Sequence, residues 1–433
     1  MTAAVQPPRR RTELGLVLLV GLVTAGSLTL ASLGKVGEPP AGLVGFAGVM
    51  VALLVAAHLA VRWLAPNADP IILPVALLLN GLGYTMITRL NGELAALQAI
   101  WTAVGVAAFI GTLLLVRRAR DLERYRYSFL VLGLVLLLLP LLPGLGRNIN
   151  GARIWIRLGP IGFQPGELAK IVLAIFFASY LVERRELLGD RIRFGPLRLP
   201  RPRLRVLLPL LAAWGVSIVV MVAERDLGSS LLFFGLFVGL LWLATGQPVY
   251  LLGGAALFGL AASFAYQMFD HVQTRVEVWL DPWPTAQGKG YQIVQSMFAF
   301  GSGGLTGSGL ALGSPQRIPA AATDFIFAAV GEELGLLGTT AVLVAFLLLI
   351  GSGLRIALRS DHPFEKLLAA SLTLVLGLQT FIIVGGITRV VPLTGITLPF
   401  VSYGGSSLVA NYVLIALLLR VSDQQERARS RGG

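Results

Sequence analysis

Four stretches of this 433-residue chain set ionisable side chains inside or beside long apolar runs, where charge is costly and needs a reason. The first is Gln164-Pro165-Gly166-Glu167-Leu168-Ala169-Lys170. Pro165 suits the first turn of a helix, and Glu167 and Lys170 then fall three residues apart on one face. They are either an internal ion pair that neutralises itself, or a phosphate-binding cation, Lys170, with Glu167 as its orienter. The second stretch is Thr323-Asp324-Phe325-Ile326-Phe327, followed by Gly331-Glu332-Glu333. Apolar residues on the C-terminal side of Asp324 would desolvate its carboxylate and make it a better general base, while a helix N-terminus would favour the anion. The bland alternative is an ordinary N-cap or first-turn aspartate. Glu332 and Glu333 follow about two helical turns later, and at least one needs a partner within the protein.

The third stretch, Glu224-Arg225-Asp226, joins two apolar runs and reads as a turn with Asp226 capping the next helix. The fourth runs from Thr388-Arg389 through Pro392-Leu393-Thr394-Gly395-Ile396-Thr397-Leu398-Pro399 to Val401-Ser402-Tyr403-Gly404-Gly405-Ser406-Ser407. Its prolines, glycines and hydroxyls predict irregular backbone at membrane depth, which survives only when buried in protein or lining a cavity.

The elements that must hold these groups follow from composition. The chain is 55% hydrophobic and 13% charged, with mean hydropathy +0.78, against about 25% charged residues in soluble domains. Apolar segments near bilayer length fall at 14–34, 41–64, 70–88, 97–116, 127–143, 165–182, 206–223, 227–244, 249–269, 324–350, 364–386 and 398–420. The pattern predicts an all-α polytopic membrane protein of about twelve transmembrane helices, the fifth to seventh being short. Lys and Arg are more than twice as frequent in the segments that alternate with the N-terminus as in the others, which places both termini in the cytoplasm. Residues 270–323 form a large extracytoplasmic loop rich in glycine, in which Tyr291 to Phe300 could lie on the membrane surface. The outer face is therefore where function is expected.

Several chemistries are excluded. The chain has no cysteine, and His58, His271 and His362 are too scattered for a zinc centre. The net charge of +13 sits in short loops, so it reports topology rather than nucleic acid, and the arginine-rich segment 184–205 suits anionic lipid or a cytoplasmic partner. No P-loop, HExxH or GxSxG element occurs, and Gly307-Ser308-Gly309-Leu310-Ala311-Leu312-Gly313 has the wrong spacing for nucleotide binding.

Six stretches, in order, resemble the FtsW/RodA (SEDS) family of peptidoglycan polymerases, most closely its actinobacterial RodA-type members. They are NGARIWIRLG (150–159), FQPGELAK (163–170), ERDLGSS (224–230), LDPW to GKGYQIVQS (280–296), TDFIFAAVGEELG (323–335) and PLTGITLPFVSYGGSS (392–407). The sequence departs from the family pattern at Gly166, at Ala320-Ala321-Ala322 and at Pro284-Thr285-Ala286. The resemblance implies a ten-helix core at 65–420 preceded by two extra helices at 14–64, with cytoplasmic tails at 1–13 and 421–433. It implies an inverting glycosyltransferase that polymerises lipid II and releases undecaprenyl pyrophosphate. Asp324 would be the catalytic base, supported by Thr323, Glu332 and Glu333. Trp155, Arg153, Glu167, Lys170, Arg389, Ser402 and Tyr403 would bind substrate. Magnesium or manganese at the pyrophosphate is the one cofactor implied, and a class B penicillin-binding protein is the implied partner. The competing readings are a lipid II flippase and a non-catalytic cell-wall scaffold.

Overall fold

The computed structural model describes residues 9–38, 43–149, 152–158, 161–189, 191–194, 197–200 and 204–432. Asn150, Gly151 and Gly159 of the first motif, Arg201 and Arg203 of the arginine-rich segment, and residues 1–8 of the N-terminal tail lie outside them.

Each expected span carries a helix: α1 (Arg9–Val36), α2 (Leu43–Leu64), α3 (Ile72–Leu90), α4 (Gly92–Leu115), α5 (Arg126–Leu138), α6 (Pro165–Gly189), α7 (Leu204–Ala223), α8 (Leu227–Thr245) and α9 (Val249–Met268). The loop between spans contains α10 (Asp270–Leu280) and α11 (Tyr291–Gly303), and α12 (Ile326–Arg359), α13 (Pro363–Ile387) and α14 (Gly405–Gly432) follow. Among the described residues, ten helices are long and apolar enough to cross a membrane.

The structure adds three details. The fold is not purely helical: β1 (Gly146–Ile149), β2 (Ala152–Leu158) and β3 (Ile161–Phe163) form an antiparallel sheet, and β4 (Arg191–Phe194) pairs with β5 (Leu197–Pro200). In β2, Ile154, Ile156 and Leu158 alternate with Arg153, Trp155 and Arg157, a period of two that suits a strand and not a helix. The last span begins at Gly405 instead of 398, because the preceding turn holds Phe400 at φ 64°. The segment Tyr291 to Phe300 lies within α11, so the 270–323 region carries two helices, α10 and α11.

The chain divides into two compact units. One comprises Met1–Arg118, Ala299–Ser352 and Phe400–Gly433. In it α14 packs along α4, because Gly405 and Gly105 leave room for the rings of Trp101 and Tyr412. Its helix ends are tied by Arg420, which donates to the carbonyls of Leu64 (2.7 Å) and Leu113, and by Asp423, which accepts from the Asn67 amide at 2.8 Å. The second unit comprises Ala119–Phe298 and Gly353–Pro399. There α6 packs against α5, α8 and α13, and Glu365 on α13, nearly fully buried, pairs with Arg120 at 2.7 Å.

Candidate active site

In the first unit, Asp324 is half-buried in a turn that ends where α12 begins. The Ala329 amide donates to the Phe325 carbonyl at 3.2 Å, so Phe325 opens the helix and Asp324 stands one residue outside the cap position. Its turn is fixed from two directions. Ala320, at φ 57°, accepts from the amides of Thr323 (3.0 Å) and Phe325 (3.2 Å) and from the Thr323 hydroxyl (3.2 Å). From the segment before α14, the Ser402 hydroxyl donates to the Thr323 carbonyl at 2.6 Å and the Tyr403 amide to that of Ala322 at 2.8 Å. Two stretches read separately in the sequence thus form one structure, with Ser402 buried and Tyr403 half-buried. Burial raises the Tyr403 phenol above its ordinary pKa, so it is a neutral hydroxyl at physiological pH.

Glu332 and Glu333 stand deeper on α12 and serve the loop before it. The Glu333 carboxylate, fully buried, pairs with Arg89 Nε at 3.0 Å and accepts from the Ala311 amide at 3.0 Å, while Glu332 accepts from the Ser314 amide at 2.6 Å. Arg89 also donates to the Gly313 carbonyl at 2.9 Å. Just beyond, α12 breaks at Gly335 (φ 65°, ψ −162°), and the Leu336 and Leu337 amides turn to the carbonyls of Gly304 and Leu305. The two glutamates therefore hold the loop from 305 to 316 in place. Arg89 escaped the sequence reading, although a basic residue at the end of an apolar run was its signal.

In the second unit, Pro165 starts α6 and Lys170 lies 2.8 Å from Glu167, with both side chains almost wholly buried. Lys170 also donates to Gln379 Oε1 on α13 at 3.0 Å, and Gln379 donates to the Thr397 carbonyl at 2.9 Å. Gln379 is a further residue that sequence reasoning missed, detectable only as an amide within an apolar helix. Asp226 caps α8 through the Ser229 amide at 2.9 Å, as its position predicts. Burial raises the Asp226 carboxyl pKa against these hydrogen bonds. Glu224 is 4% exposed, and burial, reinforced by the Asp226 charge, pushes its carboxyl up to about 8. Its Oε1 is enclosed without a hydrogen-bond partner, and the residue lines a small pocket with Ile154, Gln164, Gly166, Asp226 and Ser229.

The Glu224 carbonyl accepts from the Arg153 amide at 3.1 Å, which ties β2 to this turn, and the Arg153 guanidinium donates to the Leu142 carbonyl at 3.2 Å. Trp155, half-buried on the same strand, pairs in register with Arg147. Arg389, at φ 62°, ties two elements together: Nη2 donates to the carbonyls of Trp279 and Leu280 at 2.8 Å each, and Trp279 Nε1 returns a bond to the Arg389 carbonyl at 3.0 Å. Those donors clamp the C-terminus of α10, which gives Arg389 a positioning role.

Among the described residues, no three His, Cys, Asp or Glu side chains gather to hold a metal ion. Magnesium or manganese at a pyrophosphate takes most of its ligands from phosphate and water, so it does not require such a cluster.

The model of the FtsW/RodA/SpoVE family, described as cell cycle proteins, matches residues 70–427. The chain belongs to this family. It is similar to the peptidoglycan glycosyltransferase RodA of Mycobacterium bovis, with 46% identity over 440 residues that cover 98% of this chain and 93% of the relative. Its counterpart from Mycobacterium leprae is 44% identical, covering 96% and 91%. Of solved structures, a chain described under "Structural coordination of polymerization and crosslinking by a peptidoglycan synthase complex" aligns with TM-score 0.68 at 27% identity over 83% of this chain and 98% of that one. The rod shape determining protein RodA of Thermus thermophilus aligns with TM-score 0.61 at 25% identity over 84% and 99%. The family match begins after α1 and α2, and membership makes the chain a multi-pass protein of the bacterial cytoplasmic membrane.

Proposed function

We propose that this chain is a peptidoglycan glycosyltransferase that polymerises lipid II at the outer face of the membrane, with Asp324 as its general base. The observation that carries the reading is the presentation of Asp324: a half-buried carboxylate outside the cap position of α12, in a turn secured by Ser402 and Tyr403. A base must be held rigidly to collect a proton in the transition state. The near-full-length likeness to mycobacterial glycosyltransferases supports the reaction class.

In the proposed step, the acceptor's GlcNAc 4-hydroxyl oxygen attacks C1 of the donor MurNAc while its proton passes to Asp324. The C1–O bond to the diphosphate breaks with inversion from α to β, and undecaprenyl pyrophosphate leaves. Arg153 and Lys170 are the proposed cations for the diphosphate, with Glu167 orienting Lys170, and Trp155 is proposed to contact the substrate. No step is assigned to a metal. A class B penicillin-binding protein is the proposed partner, in line with a solved relative described within a peptidoglycan synthase complex.

The test is purified protein in liposomes given fluorescent lipid II, with and without that partner. Wild type should make polymer, and Asp324→Ala should lose about 10²-fold or more of the rate. Lipid translocation without polymer would instead support a flippase, and full complementation of a deletion by Asp324→Ala a scaffold.

A further inference from the structure

The turn that holds Asp324 is itself held from below. Phe400 sits in the left-handed region at φ 64°, a strained conformation for a bulky side chain, so its surroundings must over-determine it. Its ring is 2% exposed and meets the Tyr412 ring edge-on, with centroids 5.6 Å apart at 88°. Tyr412 is fully buried on α14, one side against Gly105, where a Cβ would stand 2.5 Å from the ring, and another edge-on to Phe109 at 6.4 Å. Its hydroxyl accepts from Asn80 Nδ2 on α3 at 2.9 Å. On the same face of α3, Gly83 lets the Val401 backbone approach so closely that a Cβ would lie 2.3 Å from the Val401 oxygen. Ser402 and Tyr403 come next in the chain, and they bind the turn that bears Asp324.

We infer that Tyr412 is a positioning residue for Asp324, acting through the Phe400 ring on the Val401-Ser402-Tyr403 turn, with Asn80 fixing where the phenol can sit. This rests on the reading of Asp324 as the base. The contact that transmits position is ring on ring, so Tyr412→Phe preserves most of it while Tyr412→Leu removes it. A side chain that only filled space would change stability without changing how the catalytic turn is held.

The experiment compares wild type, Tyr412→Phe and Tyr412→Leu in detergent by hydrogen exchange, and in liposomes by lipid II polymerisation across pH, corrected for folded fraction. In Tyr412→Leu, the amides of Thr323 and Phe325 should exchange at least about fivefold faster, while the 305–316 loop, held by Glu332 and Glu333, stays unchanged. Its kcat should fall about tenfold or more with KM little changed, and the acid limb of the pH profile should move; Tyr412→Phe should stay within about threefold of wild type. Unchanged exchange at 320–325 overturns the proposal, as does an activity loss that follows folded fraction with an unmoved pH limb. Should Tyr412→Leu not fold, Phe400→Leu probes the same contact from its other side, with the same outcomes required. Asp324→Ala in the same series separates the two claims: if it keeps full activity the base assignment fails, while the exchange result still decides whether Tyr412 holds the turn.

Discussion

Glu224→Gln offers a sharp test of the buried carboxyl in the second unit. Glu224 ionises in water near 4.5 but is pushed up to about 8 here, because the residue is buried, 4% exposed, and the Asp226 charge adds to the cost of ionising it. The folded protein therefore keeps a proton that the unfolded chain releases above pH 4.5, and stability must fall as pH rises from about 4.5 to about 8, then level off. At about 1.4 kcal/mol per pH unit, the cost reaches about 3 kcal/mol at pH 7 and about 5 kcal/mol at pH 8 and above. Glutamine matches the shape of the protonated acid and carries no charge at any pH, so the variant should be spared this loss. Thermal melts in detergent from pH 5 to 9, followed by tryptophan fluorescence, should show the two proteins nearly equal at pH 5. Glu224→Gln should then become progressively more stable than wild type, by several degrees at pH 8. Parallel curves over the whole range, or a glutamine variant that is less stable at pH 8, would refute the reasoning.

The buried Arg89–Glu333 pair should behave as a unit. Removing one partner, as in Arg89→Met or Glu333→Leu, strands the other charge and should cost about 3–5 kcal/mol, whereas the double variant should recover much of the loss in the same melts. Gly335→Ala should prevent accumulation of folded protein: its φ of 65° and ψ of −162° suit only glycine, and a Cβ there would lie 2.3 Å from the Gly307 amide nitrogen. Size-exclusion yield after detergent extraction measures this, and a monodisperse alanine variant at wild-type yield would contradict the assigned strain.

Local order was legible in the sequence; distant partners were not. The helices of α3 to α9 follow from apolar length, the Glu167–Lys170 pair from a three-residue spacing, and the Asp226 cap from its place before an apolar run. Each is settled within one or two turns of chain. Gln379, by contrast, is 209 residues from Lys170, and nothing local marks either as the other's partner. Arg89 is hidden from Glu333 for the same reason. Arg389 illustrates another limit: an arginine near the outer end of a helix gives no sign in the sequence that it will clamp the carbonyls of Trp279 and Leu280, more than a hundred residues away. The first sheet was readable, since Arg153 to Leu158 alternates with period two, but the all-α reading left the connection between 143 and 165 without structure of its own.

Backbone strain gives an independent view of where function sits. Among the described residues, the non-glycine positions in the left-handed region are Arg225, Ala311, Ala320, Arg389 and Phe400. Each such conformation costs about 1–3 kcal/mol and persists only where contacts over-determine it. All five fall in loops that the charge pattern assigns to the outer side, and each has its restraint: Ala320 accepts two amides, Arg389 exchanges bonds with Trp279, and Phe400 is fixed by Tyr412. Ala311 donates to Glu333, and Arg225 lies between the buried Glu224 and the capping Asp226. Loops that merely connect helices could relax into ordinary turns at no loss. That these retain strained residues, each adjoining a titratable side chain or its support, argues that the outer loops are shaped to hold those side chains in place.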